Sequence, residues 1–348
     1  MMRARACWWL AGVLLVAGCQ APLRPVFPTL DAPRVWPPAP DVPRVRYVGE
    51  LRGEGSLHRP IRGWESLRAV VAGPRPTVEF SRPSAVAVRG PLVYVADTGL
   101  AVVHCLNLDT REYQVWAEAG EEALQVPIDV GIDPDGNVFV VDRGRAAIDL
   151  FTPDGQWRKT IRLDALPAPV AAVTDRDQRV LWVLDAKEHT CCALGDAATL
   201  VTCHGQRGSG AGQFNFPTAV AWQPQVGLVV ADAMNFRVVV LDAAGEPTSI
   251  FGQKGDAAGC FARPRGVAVD SEGHIYVLDN QFENVQVFDA TGQLLMALGG
   301  EGTGPGEFAL PSGITIDEND RIWIADSYNR RVQVFQYLAE NAAWADSD

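Results

Sequence analysis

The sequence predicts an all-β fold, a six-bladed β-propeller built from four-stranded antiparallel blades. Two observations carry this. An apolar, β-prone run closed by aspartate recurs six times, as LVYVAD, NVFVVD, VLWVLD, GLVVAD, HIYVLD and RIWIAD, ending at Asp97, Asp142, Asp185, Asp232, Asp279 and Asp326. The copies are also nearly evenly spaced, with steps of 45, 43, 47, 47 and 47 residues. A period in the forties that holds several short strands marks a radial or solenoidal array and has to be recognised before any single motif is interpreted.

Within one period the elements follow in order. A proline stands fourteen to sixteen residues before each aspartate (Pro83, Pro127, Pro169, Pro217, Pro264, Pro311) and leads into a short apolar strand such as Gly266–Asp270 or Gly313–Asp317. Three residues before each proline is a large apolar residue: Phe80, Leu124, Leu166, Phe214, Phe261 and Phe308. Residues 264–311 then divide into four strands of ordinary length joined by Gly-containing turns, which is one propeller blade. The sixth repeat runs out after Phe335 without its outermost strand. An open ring would leave an unpaired sheet edge, and Arg44–Leu51 has the pattern of the missing strand, so the N-terminal strand is expected to close the ring. Residues 61–79 are an excursion before the first blade, with Trp64, Leu67, Val70 and Val71 at helical spacing.

The pattern G-x-x-G-x-x-x-G-x-F-x-x-P at Gly205–Pro217, Gly252–Pro264 and Gly299–Pro311, with D-S-x-N-x-R-V-Q-V-F at Asp326–Phe335, resembles NHL repeats. The likeness spans residues 44–338 and is strongest in the last three repeats. It implies a six-bladed ring and no single activity, because such propellers include enzymes, RNA binders and protein scaffolds.

The N-terminus has a separate logic. Arg3 and Arg5 precede the apolar run Cys7–Ala17, which is of signal-peptide type and too short to span a bilayer. Val16-Ala-Gly-Cys19 resembles the lipobox of bacterial lipoproteins. That resemblance implies removal of residues 1–18, acylation of Cys19 with chains such as palmitate, and a ring held on the periplasmic side of the outer membrane. Residues 19–43 contain eight prolines, which predicts an extended spacer. The propeller should occupy 44–338, and 339–348 should be a polar tail.

The net charge of −12 opposes binding to a phosphate backbone, so nucleic acid is not an expected partner. Removing Cys7 and acylating Cys19 leaves five cysteines of the seven, an odd number for an oxidising compartment. Cys191 and Cys203 fall on the third and fourth strands of blade three, and a Cys191–Cys203 disulfide is the pairing this placement suggests.

Catalytic and metal-binding readings find little support in the pattern. Some relatives with this ring, the peptidyl-hydroxyglycine lyases, hold an axial metal on histidines from equivalent blade positions. Here His104, His189 and His274 share no blade position, so no metal or other cofactor is expected. The six aspartates repeat too regularly for catalysts. A carboxylate at a strand end can accept backbone N–H bonds from the turn beyond it, and that structural role is expected of all six.

Specificity should lie where the blades differ. Ser84, Ile128, Val170, Thr218, Arg265 and Ser312 follow the repeat prolines, and Asp129 replaces the Ala or Gly of other blades. With Arg143, Arg145, Glu283 and Arg330 on neighbouring loops, Asp129 and Arg265 are candidates for docking a protein or peptide; ordinary solvated loops are the competing reading. The expectation is a monomeric, lipid-anchored docking scaffold. A hydrolase or lyase with a carboxylate-bound metal at the channel mouth is the alternative.

Overall fold

The computed structural model describes residues 24–339 apart from 31, 60–72, 74, 176–178 and 196–198. The signal segment, Cys19, the helical spacing at Trp64–Val71 and nearly all of the C-terminal tail lie outside the described residues.

Runs rich in Val, Ile and aromatic residues become strands because both of their faces are buried, each against an adjacent blade. The second strands show this plainly: Val138–Asp142, Gly227–Asp232 and Ile275–Asp279 are buried at every residue. Five blades are four-stranded antiparallel sheets with strands in sequence order from the axis outward. Their inner strands are Pro83–Arg89, Pro127–Ile132, Pro169–Asp175, Ala219–Gln223 and Pro264–Val269. The sixth blade begins at Gly313–Ile316. Each inner strand touches the next, and the last touches the first. The protein is thus an all-β, six-bladed β-propeller, and the helical turns among the described residues are two short ones, Glu54–Leu57 and Ala233–Asn235.

The core is not central. It is divided into six apolar clusters, one between each pair of adjacent blades. Each repeat's large apolar residue plugs one of them, with Phe214, Phe261 and Phe308 fully buried. The first glycine of the repeat pattern serves this packing. Gly299 has φ +86°, and a Cβ there would lie 2.3 Å from the Phe308 ring, so neither the backbone nor the space admits another residue.

Closure uses the N-terminal strand. Val45–Leu51 pairs antiparallel with Arg331–Tyr337 and buries Val45, Tyr47 and Leu51. A fifth strand, Val35–Trp36, pairs outside it. The proline-rich segment is therefore not an extended spacer along its whole length. Trp36 packs edge-on against Phe335 and Phe27 against Trp323, because aromatic burial outweighs the preference of a proline-rich chain for extension.

Candidate functional site

All six repeat aspartates are fully buried, and each fastens the loop entering its blade to the turn beyond its second strand. Asp97 accepts N–H bonds from Ser81 and Arg82 on one side and Gly99 and Leu100 on the other, at 2.6 to 3.1 Å. Asp142, Asp185 and Asp279 do likewise. Asp232 and Asp326 keep the first part, from Asn215 and Ala309, and fill the second with side chains. Asn329 and Arg331 donate to Asp326 at 2.9 and 2.8 Å and also to carbonyls of the glycine-rich loop. Asn235 and Arg237 repeat the arrangement at Asp232. For Asp97, burial opposes ionisation, yet the His104 hydrogen bond and the Ser81 and Arg82 N–H groups outweigh it and hold the carboxyl below its ordinary value.

Several candidate docking residues prove to be parts of the frame. Arg145 is not on the rim: its side chain is 2% exposed, 2.8 Å from Asp149 and 2.9 Å from Glu122. Two carboxylates draw it inward, since a buried guanidinium needs paired charge. Asp129 lines the axial channel, and its oxygens accept the N–H of Val130 and of Ala172 in blade three, both at 2.9 Å. Although it is only half-buried, its place in the wall desolvates it and pushes its carboxyl up to about 7. Glu283 accepts the Leu310 N–H at 2.9 Å, tying blade five to the loop entering blade six. The fourth residue after each repeat aspartate, including Glu283 and Arg330, adopts a left-handed φ between 45° and 59°. Those two sites are set by the turn as well as by surface chemistry.

The disulfide joins Cys192, not Cys191, to Cys203. Neighbouring strand residues point to opposite faces. In this register Cys192 stands across from Cys203, while Cys191 stands across from His204. Cys191 is a buried free thiol, pushed up to about 12 by burial. The histidines are likewise engaged away from any common centre. His104 lies between Tyr113 and Asp97, His189 accepts the Phe216 N–H, and His274 pairs with Asp270. Among the described residues no three His, Cys, Asp or Glu side chains converge so as to hold a metal ion.

What remains is the channel itself, a cavity of about 410 Å³ walled by all six inner strands. Arg265 stands at the mouth where the prolines lie, with Arg143 and Arg263 near enough to influence it. Desolvation comes first, and these like charges second, in lowering the Arg265 pKa. Arg263 drew no notice in the sequence, and only its place before Pro264, beside Arg265, could have flagged it.

Fold and site together define a six-bladed propeller with one polar axial channel. The DUF5128 family model, a 6-bladed beta-propeller, matches residues 268–341. Virginiamycin B lyase from Staphylococcus aureus has a similar structure, with TM-score 0.55, 13% identity, and 74% of this chain and 96% of that one covered. An auxiliary nutrient binding protein from Bacteroides thetaiotaomicron aligns with TM-score 0.59 at 13% identity, over 74% of this chain and 69% of its own. A gluconolactonase from Xanthomonas campestris aligns with TM-score 0.57 at 17% identity, over 74% and 87%. No curated protein matches the sequence. Matches to 1099 solved chains establish the ring, and a ring so widely used fixes no activity.

Proposed function

We propose that this chain is a binding ring of the bacterial cell envelope, with repeats of NHL type and a lipid on Cys19 that holds it on the periplasmic side of the outer membrane. The face bearing Arg143, Arg263 and Arg265 docks an acidic protein or peptide, with the ring acting as a monomer. One observation carries this reading: among the described residues these three guanidinium groups have no intramolecular partner, whereas Arg145, Arg237 and Arg331 are spent on the frame. The Cys192–Cys203 bridge supports an oxidising compartment. Arg330, exposed on the same face, belongs to its rim.

Two variants test the two halves separately. Cys19→Ser should move the protein from the membrane to the soluble fraction, since the run before it cannot span a bilayer. Unchanged membrane association would sink the anchor. Charge reversal of Arg143 and Arg265 together should abolish partner capture from envelope extracts while the melting temperature stays within a few degrees, as surface changes usually cost about 0.5 kcal/mol or less. Capture that survives the double reversal would show that the partner docks elsewhere.

A further inference from the structure

The residue after each repeat proline has a job in half of the ring. The hydroxyls of Ser84, Thr218 and Ser312 donate to the proline carbonyl of the next blade, at Pro127, Pro264 and Pro83, over 3.1 to 3.2 Å. Blade five places Arg265 there, and another residue takes over the latch: Asn280 Nδ2 donates to the Pro311 carbonyl at 2.6 Å. Arg265 is thereby released. Among the described residues its guanidinium donates no hydrogen bond and meets no carboxylate, although it stands in the wall of the channel.

A second cation acts on Arg265 from across the ring, from outside the channel lining. Arg143 belongs to blade two and Arg265 to blade five, three blades apart in a ring of six and hence on opposite sides of the axis. A partly desolvated cation facing a like charge is unfavourable, and the frame does not require it, because five blades place an uncharged residue at that position. An anion between the two groups would reverse the sign of the interaction, and a carboxylate suits the planar fork of a guanidinium.

The shaft below narrows the choice of anion. Inside the mouth the side chains are small and uncharged, with Ala85, Ala171, Ala219, Gly266 and Gly313 at matching positions. Asp129, the exception in this tier, has both oxygens occupied by backbone N–H groups of the wall. The far end of the channel carries Asp317, Glu318 and Asp320, which would repel a second negative charge on the same ligand.

We propose that the axial channel binds a small monocarboxylate, its head between Arg265 and Arg143 and its apolar body along the shaft. The cavity is of the size that ordinarily holds small ligands, roughly 300–1,000 Å³. The site rests on the channel and not on a docked protein. If the unmodified protein captures no partner yet binds the carboxylate, only the docking reading fails; if it captures a partner yet binds no carboxylate, only this one fails.

Calorimetric titration of the full-length protein with hexanoate, inorganic phosphate and hexylammonium tests the site. Hexanoate should bind one to one and hexylammonium should not bind. Arg265→Gln should weaken hexanoate by about tenfold or more, the usual effect of losing a charged hydrogen-bonding partner. Arg143→Gln should weaken it less, and Arg158→Gln, exposed on the outermost strand of blade two and away from the channel, should leave it unchanged. Should Arg265→Gln fail to fold, Arg143→Gln reads the same site from the opposite side of the ring. The proposal is overturned by full hexanoate affinity in a folded Arg265→Gln protein, by phosphate binding tighter than hexanoate, or by no saturation below about 10 mM.

Discussion

Seven residues after each repeat aspartate, on the third strand, every blade has one position where it chooses its own fastening. His104 bridges Asp97 and Tyr113, Asp149 holds Arg145, and Cys192 forms the disulfide. Gln286 donates to the Cys260 carbonyl and Gln333 to that of Glu307, whereas Val239 is simply packed. Asp129 is a fastening of another kind, joining blades two and three where other blades carry Ala or Gly. It makes stability depend on pH with a definite sign. An unfolded Asp titrates near 4, roughly, but burial raises the native carboxyl to about 7, so the native state holds this proton more tightly. Its contribution is full below the unfolded pKa and is lost as pH rises through about 7. Asp129→Asn cannot ionise and should therefore flatten the fall in melting temperature between about pH 4 and 7. Melting curves of both proteins across that range, with parallel slopes, would count against a raised Asp129.

At the scale of the element, blade three shows what a sequence can and cannot disclose. The period, the prolines and the closing aspartates place its strands, because each reflects a local backbone demand. Which cysteine faces Cys203 is a question of strand parity, and a one-residue error in register moves every side chain to the other face. The same limit hid the fate of Arg145, which depends on Glu122 from the small hairpin before the blade. Arg265 was legible for the opposite reason: a charged residue at a position that other blades leave neutral stands out when repeats are aligned. For the bridge itself, Cys192→Ala should abolish the disulfide, and Cys191→Ala should leave it intact. Loss of this short loop closure should cost about 2–3 kcal/mol. Peptide mapping under non-reducing conditions, paired with chemical denaturation, reads both effects, and a bridge that survives in Cys192→Ala would return the pairing to Cys191.

At the scale of the whole molecule, stability depends on a seam that joins the two ends of the chain. Arg331 is 1% exposed and donates to Asp326 and to Glu50 of the N-terminal strand, each at 2.8 Å, as well as to loop carbonyls. Trp36 and Phe27 were not recognisable as part of this seam, since their partners Phe335 and Trp323 lie some three hundred residues further along the chain. Removing residues 44–51 would expose the Arg331–Tyr337 edge, strip the buried guanidinium of one carboxylate and uncover the faces that pack on Val45, Tyr47 and Leu51. At roughly 1.5–3 kcal/mol for each of those three side chains, the loss is about 5 kcal/mol or more, which approaches the whole stability of an ordinary domain. The unpaired strand would also invite association edge to edge. Deletion of residues 339–348 leaves every described strand of the ring in place and should shift the melting temperature by a few degrees at most. Thermal melting and size-exclusion chromatography of the two truncations decide the matter: equal melting temperatures, or a monomeric and cooperative Δ44–51 protein, would show that the ring does not depend on this seam.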